Sequence, residues 1–466
     1  MSHRNHPLIA VIGHPNEGKS SVLSTLTEDD SVVVNDYPGE TTHCQYFPVE
    51  INGEVVLELV DTPGFQNPQR ILEWMRATGK TDDALLQAFL QQFSSQPEYH
   101  HDCELMQPLA QGAALIFVVD CSRPLLAVDE AEMEILRLIN KPRMAVINFK
   151  DQDRDYLPQW EQAFRRHFNV IREFNAHQAR FPERLALLET LKAIQQSWEP
   201  MIDRAITAFE WNWQNRREQV AELIVDYLSW ALPLTVEQAV GRDGDKASAE
   251  KDAAKQGLEQ YQRLISEREI KLFEGIRKLY LHNLFDLRLA QHSVLKEDLF
   301  SESTWQVLGL TQTQMVLAAA GMGAGVGVTL EAAFGGLSAG LFATAGAIIG
   351  GGSVWFLGDE LAKIRIKKLP LGGSKVIVGP SKNPQFPVVL LDRAILYYRE
   401  IANHAHGNRG GEVQNIKDQS VLRHIESAEQ KQFLKLAKTI AENKSDADSA
   451  RQQLAELLTA TLGTIS

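Results

Sequence analysis

The chain has 466 residues, of which 44% are hydrophobic and 23% charged, and a formal net charge of −13. This is the composition of a globular chain of two or three domains, and it excludes global disorder and collagen-like repeats. The acidic balance argues against a general nucleic-acid coat, because neutralising phosphate needs a basic surface. The three cysteines, Cys44, Cys103 and Cys121, form no C-x-x-C pair and fit a reducing compartment better than a disulfide framework.

In chain order, Leu8 to Ile12 is an apolar run of strand length, and a glycine-containing turn leads into a helical pattern from Lys19. No secretory-signal pattern precedes that run, so a cytoplasmic domain is expected. Further strand-like runs are Val49 to Val60, Ala113 to Asp120, Arg143 to Asn148 and Phe168 to Phe174. Helical patterns fall at Arg70 to Gln92 and Glu130 to Leu138, and Leu185 to Trp198 reads as a closing helix. Strands alternating with helices predict an α/β domain over 1–200, with a mostly parallel sheet covered on both faces.

From 201 to 300 the pattern changes to long charged helices, Met201 to Leu232 and Ala247 to Leu284, with no clear strand and a loop at Gly241 to Gly244. A Gly/Ala-rich hydrophobic hairpin is expected within 301–358. An α region with a small β element is expected over 359–466, with β-like stretches at Lys375 to Val378 and Val388 to Leu391 and helices at Asp392 to Ala405 and Gln419 to Leu462.

Gly13-His14-Pro15-Asn16-Glu17-Gly18-Lys19-Ser20 satisfies the phosphate-loop pattern G-x-x-x-x-G-K-S/T directly after a strand and before a helix. In such a loop the backbone amides of residues 16–21, among them Glu17, Gly18 and Ser21, surround a phosphate. Lys19 spans the β and γ oxygens and Ser20 ligates Mg²⁺. Asp61-Thr62-Pro63-Gly64 ends a strand, where Asp61 can hold Mg²⁺ through water and Gly64 can offer its N–H to the γ-phosphate. Between the two motifs, Thr41 and Thr42 stand in a polar loop able to deliver a hydroxyl, here assigned to Thr42, to the metal. Asn148-Phe149-Lys150-Asp151 follows another strand. The Asp151 carboxylate can accept both N1–H and N2–H of guanine, donors that adenine lacks, which favours GTP. Asn175-Ala176 can present a backbone N–H to guanine O6.

On these residues the first 200 or so positions resemble a translation-factor-type GTPase domain of the TrmE/Era/EngA branch. The whole chain resembles Era-like bacterial GTPases with a C-terminal domain of unknown function. The resemblance implies GTP hydrolysis as a molecular switch with Mg²⁺ as cofactor. The fourth motif departs from the branch, with Phe149 in its lysine position and Lys150 beside it. Ras-like enzymes have a glutamine after the third-motif glycine, whereas Phe65 stands here. The resemblance therefore implies the branch that lacks this glutamine and uses K⁺, held partly by Asn16, to neutralise charge developing between the phosphates. Two other readings stay open: a nucleotide-binding scaffold with negligible turnover, and, by family analogy alone, a ribosome or RNA assembly GTPase.

Between Met315 and Leu357, Glu331 is the only charged residue, and small residues recur four apart, as at Gly336 and Gly340. Ala332 to Leu357 exceeds the ~20 residues that a span needs, and the small-residue spacing lets helices approach closely in lipid. The basic flank Lys363, Arg365, Lys367 and Lys368 fits a cytoplasmic border. Attachment to the inner membrane through membrane lipid is one reading, and a buried helical hairpin is the other. An unknown protein partner is expected for the C-terminal half. His100-His101-Asp102-Cys103 contains metal-ligand residue types, but four adjacent residues rarely converge on one ion.

Overall fold

The computed structural model describes residues 5–14, 17–28, 42–148, 154–176, 179–240, 246–281, 295, 299–300, 304, 308, 364–368, 374–381, 383, 385–405, 420–442 and 446–465. Contacts divide the chain into two compact units, one built largely on residues up to Gln214 and the other on residues from Asn215 onward.

In the first unit the strands are β1 (Leu8–Ile12), β2 (Gln45–Ile51), β3 (Glu54–Asp61), β4 (Ala114–Val119), β5 (Arg143–Ile147) and β6 (Val170–Glu173). They form one sheet in the order β2-β3-β1-β4-β5-β6, parallel except for the edge pair β2 and β3. The helices are α1 (Lys19–Thr27), α2 (Pro68–Thr78), α3 (Asp82–Phe93), α4 (His100–Ala110), α5 (Ala127–Ile139), α6 (Leu157–His167) and α7 (Phe181–Ile194). Residue alternation along β1 shows both faces covered. Leu8, Ala10 and Ile12 point into a core shared with α2 to α6, while Ile9 and Val11 point into one shared with α1 and α7. Every residue of β1 and β4 is buried, which is why both read as unbroken apolar runs.

The single run expected over Val49 to Val60 is an antiparallel hairpin. Asn52 and Gly53 both take positive φ, at 55° and 78°, as a two-residue hairpin turn demands. The helical pattern expected over Arg70 to Gln92 is two helices, because Gly79 at φ 65° ends α2 and extended Thr81 starts α3 anew.

Helix α8 (Glu199–Ala231) carries the chain from the first group of residues into the second. The second unit contains α9 (Lys246–Leu279), α10 (Phe386–Ala402), α11 (Ser427–Ala441), α12 (Ala447–Ile465) and an antiparallel sheet in the order β7 (Val236–Ala239), β9 (Ser374–Val378), β8 (Ile364–Lys368). Strand β7 corrects the expectation of no strand over 201–300. It is only four residues long and alternates in exposure, too short for periodicity to announce it. The β-like reading of Val388 to Leu391 is also corrected, since these residues lie in α10. That helix packs against α9, α11 and α12 and is buried on nearly all sides, so it presents an apolar run without helical period. The expected helix over Gln419 to Leu462 is the pair α11 and α12. Arg393 on α10 makes a doubly hydrogen-bonded ion pair with Glu269 on α9, at 2.8 and 3.0 Å, with both side chains buried. Such a pair fixes the alignment of two helices more than it adds net stability.

Of the basic residues expected as a membrane flank, Arg365, Lys367 and Lys368 lie on β8, where Lys367 is exposed, and Lys363 lies outside the described residues. The Gly/Ala-rich segment 315–357 and the loop Gly241 to Gly244 lie outside the described residues. Among the described residues no helix is long and apolar enough to cross a membrane.

Candidate functional site

The carboxyl ends of β1, β3, β4, β5 and β6 lie side by side, the edge where open α/β sheets bind ligands. Pairing of Val11 with Asp61 and of Val119 with Ile147 brings the residues that follow these strands to one rim.

The turn after β1 leads directly into α1. Gly13 has φ +153°, and a Cβ there would lie 2.3 Å from the carbonyl oxygen of Val118 on β4. Gly18 has φ +94°, and its Cβ would fall 2.0 Å from the carboxamide nitrogen of Asn148. Both positions require glycine because another strand end passes across the loop. Lys19 opens α1. Its Nζ donates to the carbonyls of Gly13 at 2.8 Å and His14 at 2.9 Å, so the ammonium sits inside the ring of the loop. Burial lowers the Lys19 pKa, against the carboxylates of Asp61, Glu17 and Glu132, which favour its charge. Ser20 is half-buried in the first turn of α1, and Ser21 is buried behind it.

Asp61 ends β3 with 5% exposure, and burial pushes its carboxyl up to about 6 against the opposing pull of Lys19. Its Oδ1 has no hydrogen-bond partner among the described residues. A buried carboxylate oxygen without a partner, coupled to the Lys19 ammonium, suits a hard, oxygen-seeking cation such as Mg²⁺. Thr62 is buried and donates to the Val11 carbonyl at 2.9 Å, tying the D-T-P-G turn to β1. Gly64 is half-buried and Thr42 exposed. Phe65 is buried in the core beneath α2 to α6. Asp102 on α4 anchors the chain just beyond it. Oδ1 accepts the N–H of Gln66 at 2.8 Å, and Oδ2 accepts the side-chain amide of Asn67 at 3.1 Å.

Asn148, fully buried after β5, donates its carboxamide to the Glu17 carbonyl at 3.1 Å and accepts the Ala176 N–H at 3.2 Å. Of the Asn175-Ala176-His177 segment expected to offer guanine a backbone N–H, the Ala176 N–H is thus engaged by Asn148, and His177 lies outside the described residues. The Ala176 carbonyl accepts from Thr25 on α1 at 3.0 Å. Asn175 is half-buried beside it. Pro15, Asn16, Thr41, Phe149, Lys150 and Asp151 lie outside the described residues.

Around the phosphate-loop residues Glu17 and His14 gathers a second group whose other members carry little sequence signal of their own. Glu17 is buried, accepts the Asp120 N–H and pairs with Arg123 at 2.7 Å. Arg123 also grips both oxygens of Asp129 at 2.8 and 2.9 Å and lies 5.0 Å from the Trp160 ring centre. His14 Nε2 stands 3.0 Å from Asp129 and 3.3 Å from Glu132. Although burial opposes ionisation, the hydrogen-bonded Arg123 guanidinium and the adjacent His14 imidazole hold Asp129 well below the usual carboxylate range. At Glu132 burial outweighs the opposing pull of His14 and pushes the carboxyl up to about 8. His14, Glu17, Asp120, Arg123 and Asp129 line a cleft of about 400 Å³ at the outer side of the loop. Only the first-turn position of Asp129, which caps the Leu126 N–H at 2.8 Å, was open to sequence reasoning.

Residues 161–460, more than half of the chain, match the family model described as a domain of unknown function (DUF3482). Residues 8–149 match the model described as a 50S ribosome-binding GTPase. The chain is 32% identical over 148 residues to the GTPase Der of Geotalea daltonii, covering 32% of this chain and 28% of that protein. It is 28% identical over 156 residues to the tRNA modification GTPase MnmE of Pseudothermotoga lettingae, covering 33% and 29%. It therefore spans less than a third of the length of these curated relatives. Among solved structures, a variant of Aquifex aeolicus Era bound to GDP·AlF4⁻ matches at 17% identity and a TM-score of 0.28, over 52% of this chain and 75% of that one. Era in complex with MgGDPNP and a segment of 16S ribosomal RNA matches at 17% identity and 0.29, over 53% and 75%.

Proposed function

Because the chain belongs to the family of the domain of unknown function DUF3482, carried behind a P-loop GTPase fold, we propose that it is a GTP-hydrolysing switch whose C-terminal half passes nucleotide state to a partner. The observation that carries this reading is the Lys19 ammonium held within the loop, 2.8 and 2.9 Å from the Gly13 and His14 carbonyls, with the Asp61 carboxylate, one oxygen of which has no partner among the described residues, as a charged neighbour. In this reading Lys19 exchanges those two carbonyls for β- and γ-phosphate oxygens, and the amides of residues 16–21 close around the β-phosphate. Ser20, Thr42 and Asp61 would hold Mg²⁺, which supplies neutralisation of phosphate charge. Gly64 would offer its N–H to the γ-phosphate. Asn148 would brace the base pocket, with Lys150, Asn175 and Ala176 beside it and Asp151 reading guanine. With the Ala176 N–H taken by Asn148, the N–H for guanine O6 would come from a neighbouring residue of Asn175-Ala176-His177.

Turnover is the finer point. Phe65 occupies the glutamine position of Ras-like enzymes and is buried in a hydrophobic core, so it orients no water. This favours K⁺-assisted hydrolysis, with Asn16 as a K⁺ ligand, and it equally motivates the second reading of a scaffold that binds GTP without appreciable turnover. Single-turnover GTP hydrolysis separates them. A switch hydrolyses faster in KCl than in NaCl, and Asn16→Ala abolishes the difference. Rates equal to uncatalysed GTP in both salts would leave the scaffold. Names of relatives carry the third reading, ribosome or RNA assembly, and GTP-dependent co-sedimentation with ribosomal particles tests it. Membrane attachment through 315–357 rests on sequence alone, and fractionation with and without those residues decides it. A cytoplasmic location for the GTPase domain, with residues 201–300 and 359–466 as helical reporting elements, completes the proposal.

A further inference from the structure

We propose that His43, His100 and Glu104 form a binding site for a divalent transition metal, of which Zn²⁺ is the fitting probe. One ligand atom from each of the three side chains lies within 4.8 Å of the others. An ion central to such a triangle meets contacts only roughly 0.7 Å longer than the ~2.0–2.2 Å of Zn–N and Zn–O bonds, a gap that small side-chain rotations close. Rotation is available, since the His43 side chain is 69% and that of Glu104 28% exposed.

Three further observations favour a built arrangement over chance proximity. His100 and Glu104 are four apart on α4 and therefore share one face of the helix. The Glu104 carboxylate is oriented from behind, with Oε2 accepting the Cys44 N–H at 3.1 Å, while its other oxygen, Oε1, stands 3.9 Å from His43 Nδ1. Metal-ligating carboxylates are commonly held in this way by an outer hydrogen bond. The 3.9 Å separation is too long for a hydrogen bond and leaves room for a bridging ion. Finally, the two ligand-type residues between His101 and Glu104 are turned elsewhere. Asp102 is buried on Gln66 and Asn67, and Cys103 is buried. Two imidazoles and one carboxylate suit a borderline transition metal, whereas Mg²⁺ and Ca²⁺ prefer oxygen alone.

The site joins the chain entering β2 to α4, an element between β3 and β4. Because His43 directly follows Thr42, metal binding would restrain the segment beside the proposed switch threonine. That consequence rests on the nucleotide reading, while the site itself does not.

The test is a titration of the full chain, stripped with chelator and free of nucleotide, with ZnSO4 against a chromogenic competitor. One equivalent binds to the wild type, and Co²⁺ in its place gives a visible d–d band. His43→Ala, His100→Ala and Glu104→Gln each weaken Zn²⁺ by more than ~10-fold and abolish the Co²⁺ band. Circular dichroism reports folding of each variant, and His101→Ala, at a neighbouring histidine outside the triad, leaves Zn²⁺ affinity unchanged. Wild type that binds no Zn²⁺, folded triad variants that bind like wild type, or an equal loss in His101→Ala overturns the proposal. None of these results depends on GTP binding or hydrolysis.

Discussion

Asn148 holds the backbone of Glu17: its carboxamide donates to the Glu17 carbonyl at 3.1 Å while its oxygen takes the Ala176 N–H at 3.2 Å. One buried side chain thus ties the phosphate-loop candidate to the loop after β6. Gly18 has no Cβ because that carboxamide occupies the space.

Asn148→Ala leaves a buried carbonyl and a buried N–H without partners, each costing ~1–3 kcal/mol. The expected outcome is a loss of about 2–4 kcal/mol in urea unfolding of the first unit, together with weaker binding of fluorescent GTP and GDP alike. An unchanged unfolding midpoint would show that the tether is dispensable.

Asp61 is pushed up to about 6 by burial. Its folded value is raised, so ionisation is disfavoured by folding: the stability contributed by the neutral carboxyl is complete below the unfolded value and is lost as pH rises through about 6. A cation that needs the carboxylate binds in the opposite sense. Mg²⁺-dependent nucleotide affinity is expected to weaken by roughly tenfold between pH 7 and pH 5. Equilibrium titration with Asp61→Asn, in which this component of the pH dependence disappears, checks the assignment.

Glu132, buried beside His14 and pushed up to about 8, makes a related prediction for stability. Its neutral form is favoured in the folded state, so the stability it contributes declines as pH rises from the ordinary carboxyl range to about 8. Glu132→Gln keeps the shape without the charge. The variant is expected to gain on the wild type by up to about 1.4 kcal/mol per pH unit across that window. Chemical unfolding of both proteins from pH 5 to 9 measures the slope, and parallel curves would contradict it.

Phe65→Gln restores the glutamine of Ras-like enzymes by sequence, but the position faces a hydrophobic core. The substitution is expected to cost about 2–4 kcal/mol of stability, from lost burial and an unsatisfied amide, and to leave the rate of GTP hydrolysis no higher. A faster single turnover would show that the side chain reaches the nucleotide after all.

The sequence alone determined the elements whose signals are local. The strand-loop-helix at Leu8 to Thr27 was legible because the glycine and lysine spacing accompanies two periodicities. The alternating strands and helices of the GTPase fold, and the long helices α8 and α9, were legible because apolar residues recur over many turns. The same local rules misread α10, since a helix buried all round has no polar face to mark its period, and they missed β7, whose four residues make sense only beside β9. Tertiary structure alone decided what Glu17, His14, Asp129 and Glu132 do for one another, because α5 lies more than a hundred residues from the loop and only the parallel pairing of β1 with β4 brings them together. It likewise separated His100 and Glu104 from buried Asp102 and set His43 beside them. A run of ligand-type residues along the chain says little, whereas the i, i+4 face of a folded helix selects which of them meet.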